Sequence, residues 1–224
     1  MKLKEPVIRE AIKVRAPFKW DVISTIELKY KQCDIDKSFR RVLEERHSER
    51  NFTKVGIEEV GKLFYLVNRT KSQWTNEYSQ PVEKRNYPSP GALHSIYCLI
   101  SSINDDGWYL YNSRNNSFDL LKIDTPELAC FKKNCFKMLA EIKSGYLVWY
   151  LCDTNKLSSK YKNITGLAFR ESGAISAIHS LTAEAIGLSF CMLGIHGNDA
   201  AQSISSECEL LGVGAAIVGG RLGI

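Results

Sequence analysis

The chain has 224 residues, of which 44% are hydrophobic and 25% are charged, and its formal net charge is +5. This composition is ordinary for a folded protein with a sizeable core, and it excludes disordered, collagen-like and coiled-coil chains. The surplus positive charge lies in residues 1–100, which hold 19 Lys and Arg against 13 Asp and Glu. Because this surplus is small and interrupted by acidic residues, we expect no nucleic-acid interface.

The sequence also indicates where in the cell the protein acts and whether it binds a metal. Apolar stretches such as residues 146–152 are far shorter than the roughly 18 residues that cross a membrane, and the N-terminus has no apolar signal region. We therefore expect a cytoplasmic protein without a membrane partner. The seven cysteines lack Cys-x-x-Cys spacing and the four histidines are dispersed. Reduced thiols and no metal site are the expectation.

A length of about 1.5 typical domains favours one elaborated domain. Residues 1–36 have no clean period, and we interpret them as an N-terminal extension with a short helix at residues 6–14. The domain proper is expected at residues 37–224. Its first half is predicted to contain helices at Lys37–Glu45 and Ile57–Asn68, a loop at 69–87, a strand at Leu93–Ile103 and a hairpin at Gly107–Ile123.

The second half continues the alternation of helices and strands. It is predicted to contain a helix at Pro126–Lys143, a strand at Tyr146–Cys152, a polar loop at Lys156–Asn163, a helix at Glu171–Ile186 stopped by Gly187, a strand at Ser189–Leu193, a turn at Gly194, a helical patch at Ala200–Cys208 and a strand at Ala215–Gly219. The pattern indicates an α+β domain.

Four segments resemble a known family when they are taken together. They are Arg46-His-Ser-Glu-Arg-Asn-Phe-Thr53, Arg85-Asn-Tyr-Pro-Ser-Pro-Gly-Ala-Leu93, the hairpin Gly107-Trp-Tyr-Leu-Tyr with Phe118-Asp-Leu-Leu, and a C-terminal stretch from Lys160-Tyr161 to Val218-Gly-Gly-Arg221. In this order, over roughly residues 37–222, they resemble the nitroreductase-like flavoproteins, and among these the SagB-type dehydrogenases that form thiazoles and oxazoles. The resemblance implies a nitroreductase-like α+β fold, with a mixed, mainly antiparallel sheet packed between helices. It also implies an exchanged homodimer and an FMN cofactor.

The first segment is a candidate phosphate site on its residue types alone. Arg46, His47, Ser48 and Arg50 supply guanidinium groups, an imidazole and a hydroxyl within five residues, and charge-assisted hydrogen bonds to a phosphate are strong. In the resemblance the early positions hold the FMN phosphate and Arg50 lies near the pyrimidine edge of the ring. The alternative is a solvated Arg/Glu helix end.

Three further groups are candidates for flavin binding through the resemblance. The loop Pro88, Ser89, Pro90 and Gly91 would reach the flavin across a dimer interface, although Pro90 has no N–H to donate; the alternative is an ordinary turn. Met192, Leu193 and Gly194 would present backbone N–H groups to the ring, unless Gly194 is a plain left-handed turn glycine. Arg221 would add to phosphate neutralisation.

Lys160 and Tyr161 are the candidate catalytic residues. The resemblance implies that they remove a proton while hydride passes to the flavin. Both side chains are poor bases at their ordinary pKa values, and the stretch from Tyr161 to Glu171 is one residue shorter than the usual pattern. A solvated loop remains the alternative.

The resulting hypothesis is an FMN-dependent dehydrogenase. It would oxidise azolines in a ribosomal peptide that a partner cyclodehydratase has cyclised, with dioxygen as the reoxidant. One alternative is a nitro- or quinone-reductase that uses NAD(P)H, and another is a flavin-binding scaffold without turnover.

Overall fold

The structure, a computed structural model, describes residues 4–30, 35–139, 142–205, 207 and 209–222. Within these residues the helices are α1 (Phe39–Glu45), α2 (Ile57–Asn68), α3 (Pro126–Lys137), α4 (Thr154–Lys160), α5 (Thr165–Ala185) and α6 (Asn198–Ile204). The strands are β1 (Val7–Ile8), β2 (Val22–Glu27), β3 (Ser72–Thr75), β4 (Pro81–Lys84), β5 (Ile96–Ser102), β6 (Tyr109–Asn112), β7 (Ser117–Leu121), β8 (Tyr146–Asp153), β9 (Tyr161–Lys162), β10 (Leu188–Leu193) and β11 (Leu210–Gly220).

Seven strands form one sheet in the order β10-β11-β8-β5-β6-β7-β2. All the strand pairs described in this sheet are antiparallel. The helices α2 and α5 contact each other on one side, and α3 contacts α6 on the other. The expected α+β fold, with its largely antiparallel sheet between helices, is confirmed.

Strand β8 shows why the sheet is covered on both faces. It is a nearly continuous apolar run, as expected for a strand buried on two sides. Its alternate residues Val148 and Tyr150 pack in the core beneath α2 and α5, whereas Leu147 and Trp149 pack in the core beneath α3 and α6. One central strand therefore supplies both cores.

Helix α2 has the predicted bounds, and α1 begins two residues later than predicted, after the N-cap Ser38. Among the large apolar residues of α1, Val42 is buried, while Phe39 is 70% and Leu43 is 52% exposed. The predicted strands at β5, β8 and β10 and the hairpin β6–β7 are confirmed, with small shifts at their ends.

Several boundaries are corrected in the C-terminal half. Helix α3 ends six residues early at Lys137, and α5 begins six residues early at Thr165. Helix α6 ends at Ile204, and Cys208, in the predicted patch, lies outside the described residues together with Cys33. Cys98, Cys130, Cys135, Cys152 and Cys191 are free thiols, as expected.

The N-terminal predictions are wrong in two places. Residues 6–14 do not form a helix, because the segment is extended and its backbone pairs with β9 through Ile8 and Tyr161. Residues 22–27 form β2, the edge strand of the main sheet, which pairs with β7. The β-branched run Val22-Ile-Ser-Thr-Ile26 is the signal that could have identified this strand.

Two predicted loops are also wrong. Within residues 69–87, β3 and β4 form a two-stranded hairpin in which Trp74 lies opposite Val82. Within 156–163, the chain completes α4 and then β9. The N-cap of α4 is Asp153, whose carboxylate accepts hydrogen bonds from the backbone N–H groups of Asn155 and Lys156.

We predict that Gly212→Ala destabilises the fold, because an added Cβ would lie 2.7 Å from the Gly197 carbonyl carbon and 2.8 Å from the Asn198 nitrogen. Backbone cannot move aside cheaply, so we expect a loss of roughly 1–3 kcal/mol in the free energy of unfolding. Gly173→Ala in α5 is the matched control, since nothing lies within 4 Å of its added Cβ. If urea unfolding showed the two variants to be equally stable, the result would contradict the close contact of Gly212 with Gly197 and Asn198.

Candidate functional site

The segment that follows α1 is anchored across the ends of β10 and β11. The backbone N–H of Glu49 donates to the Phe190 carbonyl oxygen at 3.2 Å. Further on, Thr53 and Gly220 exchange two backbone hydrogen bonds of 2.9 and 3.0 Å. These contacts fix the segment beside the middle of β10 and the C-terminal end of β11.

The two arginines of this segment keep their donors free. Neither the Arg46 nor the Arg50 guanidinium makes a hydrogen bond or ion pair with the described residues; Arg46 is partly buried and Arg50 exposed. Ser48 is exposed as well. An oxyanion at this place would therefore meet unpaired donors, a set that fits a phosphate.

His47 adds positive charge to the same segment. Its Nδ1 lies 2.9 Å from the Glu45 carbonyl oxygen and its Nε2 lies 3.3 Å from Glu49 Oε2. These two contacts raise the pKa of His47. The carboxylate of Glu49 also accepts the backbone N–H groups of Arg50 and Asn51, which lowers the pKa of Glu49.

Arg221 has an internal partner. Its Nη1 and Nη2 donate to the two carboxylate oxygens of buried Glu184, at 3.2 and 2.5 Å, and Nη2 also lies 3.3 Å from the Leu188 carbonyl oxygen. Lys37 forms a second ion pair with Glu184. The geometry thus gives Arg221 a fixed place next to His47, with its charge already balanced, and its role toward a phosphate stays a prediction.

The end of β10 is open. Met192 is 51% exposed, and together with Leu193 it lines a shallow cavity of about 190 Å³ against α5. A Cβ at Gly194 would meet nothing closer than Met138, at 4.0 Å, and Gly194 is not left-handed. The left-handed glycine of this turn is Gly197, with φ of 74°. The plain-turn alternative for Gly194 is therefore wrong.

The loop that contains Pro88 to Gly91 holds unusual backbone conformations. Gly91, Ala92 and His94 have φ of 61°, 56° and 45°, and left-handed residues other than glycine store strain of about 1–3 kcal/mol each. Pro90 begins a short 3-10 turn. The Ser89 hydroxyl accepts the backbone N–H of His94 at 2.8 Å, which holds the loop closed.

A buried carboxylate supports this loop from behind. Glu171 of α5 accepts hydrogen bonds from the Ser95 backbone N–H at 3.1 Å and the Ser95 hydroxyl at 2.6 Å. A further hydrogen bond from Ser89 acts on the same carboxyl, although burial is the stronger influence and raises the pKa of Glu171.

Lys160 and Tyr161 converge on this strained loop. A Cβ at Gly91 would lie 3.1 Å from the Tyr161 hydroxyl and 3.3 Å from Lys160 Nζ, so the ends of both side chains lie close to this glycine. The Lys160 ammonium also lies over the rings of Tyr78 and Tyr161 at 5.5 and 5.7 Å. Burial raises the pKa of Tyr161.

The N-terminal segment holds this pair in place, which the sequence analysis missed. Arg9 donates its backbone N–H to the Lys160 carbonyl oxygen at 2.9 Å and its Nε to the Ser158 carbonyl oxygen at 2.6 Å. The Asn163 amide donates to the Glu5 carbonyl oxygen at 2.9 Å. No local pattern signals these contacts, because the pairing partner lies about 150 residues away along the chain.

The sequence-predicted residues fall into two groups in one chain. The first contains Arg46, His47, Ser48, Arg50, Met192, Leu193, Gly194 and Arg221, and the second contains Pro88, Ser89, Pro90, Gly91, Lys160 and Tyr161. No hydrogen bond or ion pair among the residues that the structure describes joins the two groups.

No protein-family model matches the sequence, and no curated protein matches it. Among solved structures, the chain is similar to a Ralstonia eutropha JMP134 protein provisionally classed as a nitroreductase, with 13% identity and a TM-score of 0.65, over 96% of this chain and 99% of that one. A second such protein, from Anabaena variabilis ATCC 29413, has 14% identity and a TM-score of 0.66, over 92% of this chain and 41% of that one. The fold is nitroreductase-like.

The nitroreductase-like fold also occurs in a synthetase. A chain of the E. coli microcin synthetase McbBCD complex with truncated pro-MccB17 bound is 17% identical, with a TM-score of 0.54, over 87% of this chain and 77% of that one. Identities this low establish a common fold. Separately, none of the described helices has the length and apolar character of a membrane span.

We predict that Glu184 stabilises the protein in a pH-dependent way. Hydrogen bonds from Arg221 and Lys37 lower the pKa of Glu184 from 4.5 to about 2, so its contribution is present above pH 4.5 and is lost as the pH falls toward 2. Glu184→Gln should lower the free energy of unfolding by roughly 3 kcal/mol at neutral pH and by much less under acid conditions.

Glu44→Gln is the matched control, because Glu44 pairs with Arg40 on the exposed face of α1 and should contribute little. Urea unfolding of both variants over this pH range measures the effect. A Glu184→Gln deficit that did not shrink in acid would contradict the assignment.

Proposed function

We propose that this chain is an FMN-dependent oxidoreductase. The observation that carries the proposal is the pair of guanidinium groups of Arg46 and Arg50, which have no partner among the described residues and are held beside β10 in a nitroreductase-like fold. Arg46, His47 and Ser48 would bind the phosphate, with Arg221 behind them, while Arg50 would lie toward the ring. The end of β10 would receive the ring itself. When bound, FMN supplies hydride acceptance or donation.

The working unit is proposed to be a homodimer. Because the two groups of predicted residues are not joined within one chain, a second copy can supply Pro88 to Gly91, Lys160 and Tyr161 to the flavin held by the first. The exposed Phe39 and Leu43 lie four residues apart on α1, just before Arg46, and offer an apolar contact for that copy. Sedimentation that found only monomers with FMN bound would contradict this arrangement.

The proposed reaction is oxidation of a peptide azoline to an azole in the cytoplasm. The ring loses two electrons and two protons overall, as a hydride to the flavin and a proton to a base, and dioxygen then takes the electrons. The convergence of Lys160 and Tyr161 on Gly91 supports this reaction, because it puts an amine and a hydroxyl beside one glycine. Lys160 in its neutral amine form is the proposed proton acceptor, and the adjacent Tyr161 hydroxyl is proposed to orient it.

A partner that makes the azoline is part of this proposal. The expected partner is a cyclodehydratase that acts on the same peptide. Support comes from the McbBCD chain, since it shows that a protein of this fold can belong to a synthetase complex.

We expect Arg46→Ala to weaken FMN binding about 10- to 150-fold, the effect of losing one charge-assisted hydrogen bond to phosphate. Arg50→Gln should weaken binding less and lower the midpoint potential of the flavin, because the reduced anion loses a nearby cation. Arg40→Ala removes an exposed arginine from α1 and should change neither quantity. FMN titrations and potentiometry measure both, and unchanged values in Arg46→Ala and Arg50→Gln would place the flavin elsewhere.

Substitution of the Lys160–Tyr161 pair should separate chemistry from cofactor binding. We expect Lys160→Met to lower azoline oxidation about 10²- to 10⁴-fold, the usual range for a lost general base, while FMN stays bound. Tyr161→Phe should lower it less, and Lys162→Met, at an exposed neighbouring position, should leave it unchanged. Full azoline oxidation by Lys160→Met would exclude the proposed base, and rapid flavin reduction by NAD(P)H would instead favour a nitro- or quinone-reductase.

A further inference from the structure

A second cavity lies beside the strained Gly91 loop, with Leu93 in its wall. It has a volume of about 440 Å³ and is enclosed by the β3–β4 hairpin, strands β5 and β6, helix α4 and residues 14–17 of the N-terminal segment. None of the predicted flavin or catalytic residues lines it. Its volume is typical of a small-molecule site.

The wall of this cavity is cationic. It contains the side chains of Arg15, Arg85, Arg114 and Lys156 and a single carboxylate, that of Glu83. Glu83 is already shared, because Arg85 donates to it at 2.7 and 3.0 Å and Arg114 at 2.6 and 2.9 Å. Three positive charges in the wall therefore have no matching carboxylate in it.

Lys156 lines this wall without an ion pair to a described residue. Its Nζ donates to the His94 carbonyl oxygen at 3.2 Å and lies 4.9 Å from the centre of the Tyr97 ring. The nearby carboxylates are engaged elsewhere, Asp153 by Tyr97 and backbone N–H groups and Glu171 by Ser95. Burial accordingly lowers the pKa of Lys156. These carboxylates act on Lys156 only from a distance, and a bound anion would give its ammonium a direct ion pair.

Gln80 supplies a different kind of contact beside Lys156. Its amide Nε2 donates to the Lys156 carbonyl oxygen at 3.4 Å, whereas its Oε1 is buried without a hydrogen-bond partner among the described residues. Gln80 also lines the cavity and is only 3% exposed. A buried acceptor left unpaired favours a ligand that carries a hydrogen-bond donor.

We propose that this cavity binds a small oxyanion, a carboxylate or phosphate that also carries a hydroxyl group, with Lys156 pairing the anion and Gln80 Oε1 accepting from the hydroxyl. Arg15, whose guanidinium has no hydrogen bond or ion pair with a described residue, lies in the wall as a second donor. This site is independent of the proposed flavin chemistry.

Calorimetric titration of the full chain with L-malate, glycerol 3-phosphate and inorganic phosphate, at constant ionic strength, tests the proposal. We expect at least one of the two hydroxylated probes to bind, and which one binds identifies the anionic group. Inorganic phosphate, which lacks the carbon-borne hydroxyl, should bind more weakly than glycerol 3-phosphate. Binding of neither hydroxylated probe would overturn the proposal.

Four variants assign the binding to this cavity. Lys156→Gln should weaken it about 10- to 150-fold, the range for one charge-assisted hydrogen bond, and Lys162→Gln should not change it. Gln80→Met removes the unpaired acceptor without adding a charge, so it should weaken binding of the hydroxylated probes and leave that of inorganic phosphate unchanged. Arg46→Ala should leave binding intact, which separates this site from the proposed phosphate site. Equal affinities for Lys156→Gln and Lys162→Gln, or loss of binding in Arg46→Ala, would contradict the assignment.

Discussion

The close approach of residues 52–54 to the end of β11 is the constraint on which the candidate site depends. It is possible because β11 ends in two glycines: a Cβ at Gly219 would lie 2.9 Å from Phe52 Cβ, and one at Gly220 would lie 2.9 Å from the Lys54 carbonyl oxygen. Thr53 can therefore continue the hydrogen bonding of the sheet. Strand β11 pairs with β8 on one side and with β10 on the other. The contact through Thr53 therefore holds the segment of Arg46 and Arg50 against a rigid part of the sheet.

Buried charged groups surround the second group of predicted site residues. Glu83 with its two arginines, the ammonium of Lys156 and the carboxylate of Glu171 surround the strained loop at Gly91 and the helix that carries Lys160. Buried polar and charged groups contribute little to the free energy of unfolding unless each has its partners. In this region they act mainly by fixing the positions of the side chains. The N-terminal segment closes it, which makes residues 5–18 part of the site's architecture rather than an appendage.

The sequence predicts secondary structure well where neighbouring residues along the chain determine it, and poorly where distant residues do. The bounds of helix α2 were predicted correctly, because its apolar spacing and its burial agree. Strand β8 was predicted because an unbroken apolar run of that length has few alternative structures. The short strands β1 and β9 are stabilised by one another across the length of the chain, so neither carries a local signal. The residues of the candidate site were predicted from the motif resemblance. The resemblance named Lys160 and Tyr161 as candidates, but it did not predict that both side chains approach Gly91. Neither periodicity nor resemblance pointed to Lys156, because a single lysine in a polar segment has no pattern.

Comparing FMN with riboflavin in equilibrium titrations of the unmodified protein tests the central claim most directly, since the two differ only in the phosphate. If the donors of Arg46 and its neighbours hold that phosphate, FMN should bind at least about 100-fold more tightly than riboflavin, the effect of two or more charge-assisted hydrogen bonds. Equal affinities, or no binding of either flavin, would contradict the account.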